Sequence, residues 1–223
     1  MSRLKTKYAI KDVRNVLFSD IFRSVQFGVG MTYRWDEMLG PKCGRVFSYY
    51  TEVARYYPAP NVVILSRKNF SQTTAGHKSE VRAAAIRSGA EVVYYQYEHC
   101  RGEAFDLSPE GLKCILDSQH VDLLSNAANI GRCGHPRYAV EDRILAQMSR
   151  YRQFANAVRR VAFHPPPDEP EVWHVLEHTA RMFQDSPPKV LSAALRAAIP
   201  ELSHLTARKP KPCTTPHSML PKL

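Results

Sequence analysis

The chain has 223 residues, 44% of them hydrophobic, and carries 31 Lys and Arg against 21 Asp and Glu, a formal charge of +10 at pH 7. That length holds one domain of ordinary size with a substantial extension, or two small domains, and the apolar content is enough for a real core. No apolar run approaches the roughly 18 to 20 residues that cross a bilayer, which argues against membrane insertion; five scattered cysteines with no secretory h-region ahead of them point to a reducing compartment, and the positive excess favours a polyanionic partner or an anionic surface.

Residues 1–27 open as a basic arm, with Arg3, Lys5, Lys7, Lys11 and Arg14. The first eleven residues contain no acid, a pattern shared by mitochondrial targeting segments and by arms that touch nucleic acid. Val13, Val16, Leu17, Ile21, Phe22 and Val25 are then spaced as one helical stripe or an irregular packing segment, and are read as an N-terminal helix laid on the domain.

Residues 28–120 read as an α/β domain with a mixed sheet and flanking helices. Gly28–Trp35 is expected as a strand, since β-branched and aromatic residues are frequent and turn formers follow at Gly40-Pro41. From Gly44 to Tyr57, Val46, Phe47, Tyr50, Val53, Ala54 and Tyr57 recur at helical spacing, and Pro58 and Pro60 stop the run. Asn61–Ser66 is an unbroken apolar stretch of strand length, the signature of a strand covered on both faces; with the preceding elements it predicts a right-handed βαβ unit. A second helix is predicted over His77–Arg87, closed by Ser88-Gly89, then a strand over Glu91–Glu98 and a short returning strand over Glu103–Leu107. Ser108-Pro109-Glu110 opens a helix running to about His120.

Residues 121–164 are expected as a loop to about 139 and then a long basic helix. Its polar face carries Arg143, Arg150, Arg152, Arg159 and Arg160. Pro165-Pro166-Pro167 starts a proline-linked helical extension over 165–206, with helices predicted over Glu169–Gln184 and Pro188–Ile199. Residues 207–223, with Arg208, Lys209 and Lys211, read as an extended tail that orders on a partner.

The β-α-β-α-β-β-α order invites comparison with thioredoxin, whose chemistry needs two thiols at Cys-x-x-Cys. Here Cys43 stands alone at the predicted helix start, beside Lys42 and Arg45, which leaves a single-cysteine thiol oxidoreductase as the enzymatic alternative. Cys133-Gly134-His135 and Cys213 to His217 offer two metal ligands each, without a second pair at zinc-site spacing, and Gly28-Val29-Gly30 lacks the third glycine of a dinucleotide fingerprint. The sequence therefore predicts no catalytic residue and no cofactor. Three basic regions remain, the arm at Arg3 to Arg14, the helix face at Arg143 to Arg160 and the tail from Arg208, and together they are the expected RNA-binding residues.

Tyr33 at the end of the first strand, Gly44-Arg45-x-Phe47 opening the predicted helix, Ala54-Arg55 with Pro58 near its end, the Val62-Val63-Ile64 strand, Ser88-Gly89 before the Val92–Tyr97 strand, and a serine-led last helix resemble a thioredoxin-like family. That family is shared by two mitochondrial ribosomal proteins, one in each subunit, and a small accessory subunit of respiratory complex one. Ala127-Ala128-Asn129-Ile130-Gly131 followed by Pro136-Arg137-Tyr138 is most similar to the small-subunit ribosomal member. The resemblance implies a non-enzymatic constituent of the mitochondrial small ribosomal subunit, in the matrix, contacting ribosomal RNA and neighbouring ribosomal proteins. The large-subunit protein and the complex one subunit are the alternatives of the same fold. Only Cys133 lies where some small-subunit members carry a cluster of cysteines, so their iron-sulfur centre is not carried over, and the proline usual after the second strand is missing from Ser66 to Gly76.

Overall fold

The computed structural model describes residues 7–8, 25–27, 30–36, 42–67, 71–95, 105–130, 144–162 and 164–205. The chain divides into two compact units, one of Met1–Asp122 with Leu145–Pro170 and one of Leu123–Ile144 with Glu171–Leu223. The first is α/β and thioredoxin-like in its layering, a mixed sheet flanked by helices; the helical extension expected at the C-terminal end is also present.

The sheet has seven strands in chain order: β1 Lys7–Tyr8, β2 Val25–Phe27, β3 Met31–Asp36, β4 Cys43–Ser48, β5 Thr51–Tyr57, β6 Val62–Ser66 and β7 Glu91–Tyr95. From β2 to β6 it is an antiparallel meander; β1 joins β2 and β7 joins β6 in parallel. The helix α1, Gln72–Arg87, connects β6 to β7, so the βαβ unit lies one step later than the sequence predicts. Strand β6 is buried at all five positions, as its unbroken apolar composition requires of a strand with a parallel neighbour.

The helix expected over Gly44–Tyr57 is the β4–β5 hairpin. Its apolar residues fit a helical period, but the whole segment alternates: Gly44, Val46 and Ser48 are placed on one face of the sheet, Arg45 and Phe47 on the other, and a bulge after Val46 keeps the alternation out of step with a simple count. β-branched and aromatic residues dominate, and these pack better on a pleated surface than around a helix. Three further expectations are corrected. Val25 lies in β2 rather than on a helical stripe; Phe105–Leu107 is not a strand; and the helix opened by Ser108 runs on as α2, Pro109–Ala128, through residues predicted as loop. Ser108 does cap it, its Oγ accepting from the Gly111 N–H at 3.1 Å.

One face of the sheet packs against α1. Val25, Phe27, Met31, Tyr33, Val46, Ala54, Val63 and Leu65 form a single core with Val81, Ala84 and Ala85 of that helix. On the opposite face the Tyr95 ring meets Phe105 at 5.0 Å and, edge-on, Phe154 at 5.9 Å; Phe154 belongs to α3, Ala146–Val161. Gln147 of α3 donates to Gln119 of α2 at 2.9 Å, closing a buried amide pair.

The second unit contains α4 Glu171–Met182, α5 Pro188–Ala198 and the short α6 Leu202–Leu205, with Trp173, Leu176, Ala180, Leu191, Leu195 and Leu202 buried. Helices α4 and α5 are where the sequence places them, because prolines mark their entries and the apolar residues keep one helical face; α6 was not predicted. No helix among the described residues is long and apolar enough to cross a membrane.

Candidate nucleic-acid interface

The register of the meander sets Arg34 opposite Arg45, Arg45 opposite Arg55, Arg55 opposite Ile64 and Ile64 opposite Val93. One row of side chains thus crosses five strands on the face away from α1, basic over β3–β5 and apolar over β6 and β7. Like charges directly opposite one another on a sheet repel, so three arginines in line have to be offset.

Two carboxylates on the same face do part of this. Glu52, only 5% exposed, accepts from Arg45 Nε at 3.1 Å and Nη2 at 2.6 Å, and from Arg55 Nε at 2.6 Å and Nη2 at 3.3 Å. Asp36 accepts from Arg45 Nη1 at 3.3 Å. Hydrogen bonds to Glu52 hold the Arg45 pKa above the ordinary arginine value. Burial opposes the charge on Arg55, yet its bonds to the same carboxylate overcome this and raise its pKa as well. The Arg55 guanidinium lies 5.3 Å from the Phe105 ring centre, and Phe47 receives Arg34 at 4.7 Å and Arg45 at 5.2 Å.

Arg34 is exposed, and among the described residues no carboxylate pairs with it. The five charged groups therefore carry one net positive charge, concentrated at the open end of the row. An external anion beside Arg34 and the outward N–H groups of Arg45 would complete the charge pattern, and guanidinium forks match phosphate geometry. Glu52, bracketed by two guanidiniums, is placed to orient them.

Cys43 begins β4 opposite Asp36, not a helix. Burial pushes its thiol up to about 11, the reverse of the activation expected from a helix N-terminus. Burial likewise pushes the neighbouring Tyr57 phenol up to about 12. Among the described residues no group of three or more His, Cys, Asp or Glu side chains could hold a metal ion.

Of the residues the sequence singles out, Lys7 lies in β1, while Arg3, Lys5, Lys11, Arg14, Arg143, Arg208, Lys209, Lys211, Cys133, His135, Cys213 and His217 lie outside the described residues. Arg150, Arg152, Arg159 and Arg160 do share α3, where Arg152 grips Glu169 through Nε and Nη2, both at 2.8 Å, and Arg160 pairs with Glu91 at the start of β7. Arg159 donates to Asn156 at 2.8 Å. The sheet row was missed because its residues are ten or so apart in sequence and fall into line only once Cys43–Tyr57 is read as a hairpin. The signal was there, as one arginine in the middle of each aromatic-rich segment.

No protein-family model matches the chain, and no curated protein and no solved structure is significantly similar to it.

Proposed function

We propose that the chain is a non-catalytic RNA-binding constituent of a ribonucleoprotein, specifically the small subunit of the mitochondrial ribosome, working in the matrix beside ribosomal RNA and neighbouring ribosomal proteins. The observation that carries the RNA-binding part is the in-register row Arg34, Arg45 and Arg55, one anion short and on a chain of net charge +10. Phosphate contacts release counterions and need no reading of base sequence, which suits a structural component gripping a folded RNA. The protonated, buried Cys43 supports the non-enzymatic reading over the thiol oxidoreductase. The ribosomal assignment rests on the motif resemblance alone.

Two measurements test this. RNA affinity is expected to fall steeply with salt, and Arg34→Ala should flatten the log–log slope by about 0.7 to 0.9 while leaving thermal stability unchanged; an affinity indifferent to salt refutes the RNA-binding reading. On a sucrose gradient of mitochondrial lysate the chain should sediment with the small ribosomal subunit. Migration with respiratory membranes or at the top of the gradient refutes the ribosomal assignment.

A further inference from the structure

The β4–β5 hairpin turns through Tyr49-Tyr50, and nothing in its local sequence favours such a turn. Two-residue hairpins prefer Asn, Asp or Gly because the central residues need positive φ. Here Tyr49 has φ +56°, a conformation that is a genuine outlier for a bulky side chain. The turn is held from outside. The Tyr49 N–H donates to the Gly30 carbonyl, and the Tyr49 ring lies over Gly30, where any Cβ would overlap it; Gly30 itself takes φ +83°. The Tyr49 ring also sits 6.2 Å from His77 of α1. Tyr49 is thus an anchor, half-exposed at 48%, and its neighbour Tyr50 is left projecting at 98% exposure.

A large aromatic ring held in water by a strained turn gains nothing for the fold. Strain of this kind, of order 1–3 kcal/mol, persists where the surroundings fix it and clusters at binding sites. Tyr50 also lies at the end of the same hairpin that carries Arg45 and Arg55. Tyr50 is five positions beyond Arg45, a span of at most about 17 Å at ~3.4 Å per residue, the length of about five stacked nucleotides. Phe47, under the guanidiniums of Arg34 and Arg45, lies between them. A guanidinium pair crossing the strands at Arg34 and Arg45, with an aromatic ring further along the same hairpin, supplies the parts of a single-strand site, since every base has a π-face and a duplex keeps its bases stacked on each other.

We infer that Tyr50 is a nucleobase-stacking residue, taking an unpaired base of a single-stranded RNA whose phosphates lie along Arg34 and Arg45. The inference rests on the RNA-binding reading above and adds to it the strandedness of the ligand and the residue that selects it.

The test is fluorescence anisotropy of the full chain with a labelled oligouridylate of about ten nucleotides and with a blunt RNA duplex of the same length, over a series of salt concentrations. Wild type should prefer the single strand. Tyr50→Ala should lose about tenfold in affinity for the single strand and nothing for the duplex, with its salt slope unchanged because no charge is removed, and Tyr50→Phe should restore binding. Exposed as it is, Tyr50 can be truncated without unfolding the chain, which circular dichroism checks. Equal binding of Tyr50→Ala and wild type, or an equal loss on both RNA forms, overturns the stacking role and leaves the RNA-binding reading standing. Wild type that binds neither RNA at low salt overturns both.

Discussion

Glu52→Gln separates the structural role of the ion cluster from the anion-binding role of the arginine row, because the two roles predict opposite signs. In the folded chain the Glu52 carboxylate takes four guanidinium N–H contacts between 2.6 and 3.3 Å. Glutamine keeps the shape but offers one acceptor and turns an NH2 toward the cations. Breaking a buried ion pair by removing one partner costs about 3–5 kcal/mol. Arg45 retains 28% of its side-chain exposure and keeps Asp36, so water and that second carboxylate recover part of the loss, which brings the expectation to about 3 kcal/mol. For a chain of this length that is a fall in Tm of about 6–12 °C. Urea unfolding followed by circular dichroism gives the free energy directly. On RNA the same variant raises the net charge of the row from one to two, so affinity should rise at low salt and the log–log salt slope should steepen by about 0.7. A stability within about 0.5 kcal/mol of wild type would show that Glu52 does not hold the arginines in line. A variant that loses stability and also binds RNA less tightly would mean the arginines are structural only.

Cys43 should resist iodoacetamide at pH 8 while the exposed Cys114 reacts, and its alkylation rate should climb only as pH approaches about 11, read by peptide mass spectrometry; Cys43 modified as fast as Cys114 refutes the buried-thiol assignment. The same shift lowers stability between about pH 8.5 and 11, since the unfolded thiol ionises before the folded one does. Buried His77, whose Nδ1 lies 2.8 Å from Ser48 Oγ, has its pKa lowered by burial. Stability should therefore fall as pH drops below about 6.5, where the unfolded imidazole takes a proton that the folded one resists, and His77→Gln should flatten that fall; an unchanged pH profile would rule His77 out as its source.

The sequence by itself determined the elements whose instructions are local. Pro188 and Ser108 mark helix starts, Gly89 ends α1 at φ +70°, and Val62 to Ser66 is apolar enough to be covered on both sides wherever it lies. These follow from capping, backbone conformation and burial within a few residues. The hairpin from Cys43 to Tyr57 was not legible in that way: its apolar residues match a helical period by chance, and its turn, made of two tyrosines, is fixed by Gly30, in the turn just before β3. The alignment of Arg34, Arg45 and Arg55 is likewise a property of register, which depends on which strands pair and where the bulge falls, and no window of sequence contains it. Composition announced a cationic chain; tertiary pairing decided which cations meet carboxylates, as Arg152 and Arg160 do, and which are left exposed, as Arg34 is.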